Sequence, residues 1–138
     1  IPLGRGEIIQ DGEDLAIVAI GSTVLPALAA AQDLLNEGIR TTVINARFVK
    51  PLDEDLICRV VSTCRRLITV EENVLTGGFG SAVLEMLQDN GITEIRVIRL
   101  GIPDAFVEHA TQAELRKTYG IDRDGIIAAA RKITGKTP

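Results

Sequence analysis

Short apolar runs rich in valine and isoleucine alternate along the chain with longer amphipathic stretches. The runs predict five strands, over residues 7–10, 15–20, 41–45, 66–70 and 94–100. Most of these runs are apolar at successive positions, which is typical of strands in a mostly parallel sheet covered by helices on both faces. The alternation of strands with helical patterns therefore predicts an α/β fold.

The stretches between the strands carry helix start and stop signals. A helix over residues 24–37 has Ser22 or Thr23 as its N-cap and Gly38 as its stop, and its predicted inward stripe is Leu28, Ala31, Leu34 and Leu35. The other predicted helices run from the cap Asp53 to about Thr63, over residues 80–90, from the capping box at Thr111, and from Asp122 or Asp124 to about Thr134. Asp11-Gly12, between the first two strands, is a hairpin signal.

Length and composition restrict the class of protein. A chain of 138 residues with 46% apolar composition is long enough for one core, so we expect a single domain over residues 1–138, with a linker at 1–6 and a frayed tail at 135–138. The net charge is −4 and the fifteen basic residues are scattered, which argues against a nucleic-acid partner. The longest apolar run, residues 15–20, is too short to span a membrane, so we expect no membrane partner and a cytoplasmic protein.

The chain has few residues that suit metal binding or disulfide formation. Cys58 and Cys64 fall on different faces of one predicted helix, so we expect two free, partly buried thiols. A single histidine, His109, leaves no zinc constellation, and no metal site is predicted.

Residues 71–83 (EENVLTGGFGSAV) join a predicted strand to a helix through two carboxylates and a glycine-rich turn. Gly77 and Gly78 can adopt positive φ or allow close backbone approach, and Gly80 opens the helix. The free N–H groups of a helix start would suit a phosphate. The two carboxylates would repel an anion, however, and the lysine and spacing of a phosphate loop are missing. We therefore favour structural packing of this turn, with a carboxylate capping nearby amides.

Polar residues follow the predicted strands at what would be the carboxyl edge of the sheet. Arg47 could bind a substrate anion, but we favour an ion pair with Glu71 or Glu72, because neighbouring carboxylates need a cation to stay ionised cheaply. Together with Asn73, these residues predict a polar edge that serves as a docking surface.

Two further candidates belong to the same edge. The loop that contains Asp104 and His109 lies beside it, and His109 could act as an acid or base, although a structural or interface role is favoured because no nucleophile lies nearby in sequence. The turn Gly21-Ser22-Thr23 could bind a phosphate, and capping of the following helix is the commoner use. The residues alone thus predict a polar edge without a complete catalytic set.

Four segments together resemble a known family. They are residues 1–7 (IPLGRGE), 45–53 (NARFVKPLD), 71–83 and 100–115 (LGIPDAFVEHATQAEL). The chain resembles the C-terminal domain of the 1-deoxy-D-xylulose-5-phosphate synthases, which are transketolase-like thiamine diphosphate enzymes. The second and third segments also look similar to the beta subunits of 2-oxoacid dehydrogenases, and the fourth favours the synthases.

The resemblance implies a three-layer α/β/α domain with a mixed five-stranded sheet in the order 1-3-2-4-5, the first strand antiparallel, which replaces the hairpin expectation. It also implies an enzyme that joins pyruvate to glyceraldehyde 3-phosphate with loss of carbon dioxide, for isoprenoid and thiamine biosynthesis. Thiamine diphosphate and magnesium would be bound by two preceding domains of the same polypeptide, in a homodimer. No catalytic or cofactor-binding residue of the family maps onto this chain.

Two alternatives stay open at this point. One is the end domain of a 2-oxoacid dehydrogenase beta subunit, whose surface would dock an acyltransferase. The other is a free-standing module that binds an anion at the switch point between the strands ending at Ile20 and Val70.

Overall fold

A mixed five-stranded sheet forms the centre of the fold in the computed structural model, which describes residues 2–104 and 109–136. The strands are β1 (Glu7–Gln10), β2 (Leu15–Ala19), β3 (Thr41–Asn45), β4 (Arg66–Val74) and β5 (Arg96–Ile102). The helices are α1 (Val24–Leu35), α2 (Glu54–Cys64), α3 (Phe79–Asp89), α4 (Gln112–Thr118) and α5 (Arg123–Thr134), and a 3-10 turn, Gly21–Thr23, precedes α1.

The strands lie in the order β1-β3-β2-β4-β5, with β1 antiparallel to β3 and the other neighbours parallel. The order implied by the family resemblance is confirmed, and the hairpin suggested by Asp11-Gly12 is wrong. β3 lies between β1 and β2, and the N–H of Gly12 donates to the Thr42 hydroxyl at 2.9 Å. β2 is the central strand, and all five of its residues are buried because helices cover both faces of the sheet there.

The core has one cluster on each face of the sheet. Leu15, Ile17 and Ala19 of β2 pack with α1 and α5, whereas Ala16 and Val18 pack with α2 and α3. This two-sided burial follows from the alternation of side chains along a strand. The resulting arrangement is the three-layer α/β/α domain that the family resemblance implies.

The inward stripe predicted for α1 is only partly right. Ala31 and Leu34 are buried, together with Ala27 and Ala30, but Leu35 is 55% exposed. α1 packs against α5, and the small alanine side chains allow a close approach of the two helices. The buried face of α1 is therefore centred on the alanines and leaves Leu35 outside it. The periodicity therefore located the helix but misplaced one edge of its apolar stripe.

The predicted helix caps are confirmed for three helices. Asp53 accepts from the N–H of Leu56 at 3.3 Å, Thr111 from that of Glu114 at 3.1 Å, and Asp122 from that of Gly125 at 2.8 Å. Thr23 is the N-cap of α1, but its hydroxyl caps no amide of this helix; it shares its hydrogen with the carbonyls of Ile20 and Val70 and accepts from the N–H of Ile20. No helix of the described residues is long and apolar enough to cross a membrane.

Candidate functional site at the carboxyl edge of the sheet

The carboxyl edge of the sheet is shaped by an irregular end of β4. Val70 pairs with Leu100 and Val74 with Ile102, so four steps along β4 match two steps along β5. The additional residues form a bulge, which bends a strand and redirects its side chains. β4 therefore extends beyond the predicted end at Val70, and its two glutamates enter different environments.

Glu71 is fully buried and caps helix α3, although it lies eight residues before the first residue of that helix. One carboxylate oxygen accepts from the N–H of Phe79 at 2.9 Å and the other from that of Gly80 at 2.6 Å. The prediction that a carboxylate caps nearby amides is confirmed. Burial raises the pKa of Glu71, and the two backbone N–H groups and nearby Arg99 lower it by less. The carboxylate occupies the position where an external anion would meet the start of α3.

The glycines of this turn are required for two different reasons. Gly77 has a φ of +70°, which confirms the prediction that Gly77 or Gly78 adopts a conformation costly for other residues. Gly78 has an ordinary φ of −86°, but a Cβ there would overlap a carboxylate oxygen of Glu71. A Cβ on Gly80 would lie 2.7 Å from the Thr69 hydroxyl oxygen. The turn is thus packed tightly around the buried carboxylate.

The predicted ion pair of Arg47 with Glu71 or Glu72 is wrong. The Arg47 guanidinium pairs with Glu7, which is the first residue of β1. Glu7 lies opposite Asn45 in the antiparallel register, so it is the carboxylate that strand order brings next to Arg47. Both carboxylate oxygens of Glu71 accept from backbone N–H groups instead.

Glu72 forms an ion pair with Arg116 of α4, a residue that sequence reasoning did not single out. Arg116 lowers the pKa of Glu72, more than burial raises it, and the Ser22 hydroxyl adds to the lowering. The contact joins β4 to a helix 44 residues later, and no local pattern announces it. A small cavity of about 90 Å³ lies beside it, lined in part by Ile102, Leu115 and Ile121.

The remaining predicted residues, Asn73, Asp104 and His109, are exposed at the surface. Asn73 is exposed, and Asp104 accepts from the Thr76 hydroxyl at 3.2 Å, which ties the loop after β5 to the glycine turn. His109 is exposed, with a φ of +62°. Residues 105–108 of this loop lie outside the described residues. The structure thus brings Asp104 to the glycine turn, as the polar-edge hypothesis expects.

The reactive side chains are poorly suited to catalysis. Cys58 and Cys64 are free thiols, as predicted, and burial raises the pKa of both, which disfavours the nucleophilic thiolate. Among residues 2–104 and 109–136, no three His, Cys, Asp or Glu side chains are grouped to hold a metal. Glu71 and Glu72 are already engaged in a cap and an ion pair. Both glutamates of this edge are thus held by contacts within the domain.

Comparison with known proteins identifies the class. Residues 4–126 match the family described as the transketolase C-terminal domain, and the chain belongs to this family. It is 58% identical over 133 residues to the 1-deoxy-D-xylulose-5-phosphate synthase of Syntrophus aciditrophicus, covering 96% of this chain and 20% of that protein. It is 60% identical over 129 residues to synthase 1 of Geobacter sulfurreducens, covering 94% of this chain and 20% of that protein. The chain spans about a fifth of the length of these relatives.

Solved structures agree with this assignment. A split-gene transketolase, described as an inactive beta4 tetramer, has a TM-score of 0.89 at 33% identity, covering 100% of this chain and 45% of that one. A transketolase mutant from Pichia stipitis, with a TM-score of 0.63 at 18% identity over 96% of this chain and 18% of its own, shows the same fold. The resemblance to the C-terminal domain of the synthases is confirmed, and it is favoured over the dehydrogenase alternative.

Proposed function

We propose that this chain is the C-terminal accessory domain of a 1-deoxy-D-xylulose-5-phosphate synthase. The full enzyme joins pyruvate to glyceraldehyde 3-phosphate with loss of carbon dioxide, and thiamine diphosphate stabilises the carbanion in this reaction. The observation that carries the proposal is the 58% identity to a synthase over 96% of the chain. The preceding part of the polypeptide supplies the catalytic domains, in a cytoplasmic homodimer.

The start of α3 does not fit the diphosphate of thiamine diphosphate. A diphosphate would need free N–H groups at a helix start, but in α3 the Glu71 carboxylate accepts from the N–H groups of Phe79 and Gly80. Glu72, the neighbouring carboxylate, is held by Arg116 and would repel a diphosphate further. We infer that the cofactor and its magnesium are bound outside this chain.

We propose that the carboxyl edge docks against the preceding domains. Glu72 and Asn73 lie at the end of β4, Asp104 is tied to the same edge through Thr76, and Arg47 extends the edge toward β1. We include exposed His109, which follows Asp104 along the chain, in the proposed surface. Glu71 takes part indirectly, because it is buried and positions the glycine turn. β1 runs antiparallel to β3, so its first residue, Glu7, lies opposite Asn45, the last residue of β3. The residues before β1 therefore enter the domain at this same edge. The connection to a preceding domain would therefore emerge where the docking residues are.

A comparison of two proteins tests the assignment of function. The 138-residue chain is titrated with thiamine diphosphate and magnesium by calorimetry, and carbon dioxide release from pyruvate is assayed with and without glyceraldehyde 3-phosphate. We expect neither saturable binding nor turnover for the chain, and both for the full-length polypeptide. Saturable binding by the chain at micromolar cofactor would contradict the accessory role. A full-length protein that binds the cofactor but makes no 1-deoxy-D-xylulose 5-phosphate would contradict the proposed reaction.

Hydrogen exchange tests the docking surface separately. We expect the amides of residues 71–80 and 104–110 to exchange more slowly in the full-length protein than in the isolated chain. The amides of α5, which packs against α1 on one face of the sheet, serve as the internal control. Equal protection of the two edge segments in both proteins would remove the docking proposal.

A further inference from the structure

The N-terminal segment is fastened to the domain, although its sequence predicts a linker. The backbone N–H of Gly6 donates to one oxygen of the Asp53 carboxylate at 2.9 Å. The other oxygen of Asp53 accepts from the N–H of Leu56 at 3.3 Å and caps α2. A single carboxylate therefore joins a helix start to a segment 47 residues earlier.

Close packing supports this attachment. Gly4 has a φ of +74°, and a Cβ on it would lie 2.9 Å from the Pro51 ring. A Cβ on Gly6 would lie 3.1 Å from the Asn45 carbonyl oxygen and 3.3 Å from a Leu56 methyl carbon. The segment thus lies directly against the loop of residues 45–53, at two positions where a side chain would be crowded.

An ion pair provides the third contact. Arg47, in the same loop, pairs with Glu7 immediately after the fastened segment. Arg47 has a φ of +63°, an unfavourable conformation for a residue with a Cβ, and the Asn45 side chain accepts from its N–H at 3.1 Å. The strained turn directs the guanidinium toward β1. The NARFVKPLD motif therefore contacts the N-terminal segment and β1 through Asp53, Pro51 and Arg47.

We propose that the loop of residues 45–53 is a clamp that sets the direction in which the N-terminal segment leaves the domain. Asp53 is its main positioning residue, because its carboxylate fixes the segment and the loop to the same helix start. In the full enzyme the clamp holds the preceding domains in one orientation relative to this domain. That second part rests on the proposed function, whereas the fastening of the segment does not.

A pair of matched variants tests the clamp. Asp53→Asn keeps one oxygen for the helix cap and replaces the other by an NH₂ group, which cannot accept from Gly6. Asp53→Ser keeps a capping oxygen on a shorter side chain, so it separates the cap from the clamp. The control is Asp122→Asn, because Asp122 caps α5 in the same way through the N–H of Gly125.

Hydrogen exchange at Gly6 is the first measurement. In the 138-residue chain, we expect this amide to exchange roughly tenfold faster in both Asp53 variants, because a hydrogen bond to a charged acceptor is lost. In Asp122→Asn it should exchange as in the original chain. Equal effects of the Asp53 and Asp122 substitutions on Gly6 would overturn the clamp.

The second measurement uses the full-length polypeptide at a temperature where all variants are folded. We expect protease to cleave the Asp53→Asn variant severalfold faster within residues 2–6. We also expect this variant to have a severalfold lower kcat, with KM for both substrates little changed. Asp122→Asn should change neither. Unchanged kcat and cleavage in Asp53→Asn would overturn the orienting role even if Gly6 exchanges faster. Absence of synthase activity in the unsubstituted protein would instead contradict the proposed function, and the exchange result would still decide the clamp.

Discussion

Removal of the Glu71 carboxylate should destabilise the domain through the start of α3. In Glu71→Ala, the N–H groups of Phe79 and Gly80 lose their acceptor inside the protein. In Glu71→Gln, one oxygen remains to accept, while the NH₂ group faces an N–H donor. We therefore expect both substitutions to destabilise, with alanine the more severe.

The magnitude follows from the two buried donors. Each unsatisfied buried N–H costs roughly 1–3 kcal/mol. Part of this is offset, because the substitution also removes a buried charge, whose desolvation raises the pKa of Glu71. We expect Glu71→Ala to lose about 2–4 kcal/mol of unfolding free energy, and Glu71→Gln about half of that. Since domains are typically stable by about 5–15 kcal/mol, the alanine variant should still fold.

Urea unfolding at pH 7 measures the loss, and small carboxylates test its cause. Glu71→Ala leaves two N–H groups around a vacated position of carboxylate size, so formate should raise the stability of this variant. Glu72→Ala is the matched control, because it removes the neighbouring carboxylate but opens no pair of backbone donors. A loss below about 1 kcal/mol, or equal stabilisation of both alanine variants and the original chain by formate, would refute the argument.

Three further predictions concern neighbouring residues. Gly77→Val should lower the free energy of unfolding in urea by about 1–3 kcal/mol. The loss comes from backbone conformation alone, because a Cβ at Gly77 meets nothing within 4 Å, and Gly77→Asn should lose less. A valine variant as stable as the original chain would contradict the strain. Arg47→Ala should cost about 1 kcal/mol or less, and should leave KM for glyceraldehyde 3-phosphate unchanged in the full enzyme; a large rise in KM would favour direct phosphate binding. Stability measured against pH should separate the glutamates. Because the folded state raises the pKa of Glu71, this side chain contributes stability below its ordinary pKa of 4.5, and the contribution is lost as pH rises through the folded pKa. Because the folded state lowers the pKa of Glu72, this side chain contributes stability above 4.5, and the contribution is lost as pH falls through the folded pKa. The stability deficits of Glu71→Gln and Glu72→Gln should therefore change with pH in opposite directions, and parallel changes would contradict this assignment.

The local features of the fold could be predicted from the sequence. The caps by Asp53, Thr111 and Asp122 follow from hydrogen bonds that span three residues, so their signals lie within one short window. The Gly77 conformation and the capping carboxylate were likewise predictable, because a strand must turn into a helix within a few positions. The sheet order came from family resemblance, since the local Asp11-Gly12 signal alone predicted the wrong connection.

Tertiary structure decided which side chains meet. Arg47 pairs with Glu7, forty residues earlier, and Glu72 with Arg116, 44 residues later. The alternation of strands and helices establishes that these charged residues lie near the ends of elements, but strand order and the β4 bulge determine their partners. The sequence by itself thus determined the elements, their caps and the family, because these depend on short-range interactions and shared motifs. The clamp and the burial of Glu71 depend on contacts between distant segments, which form only when the sheet is assembled.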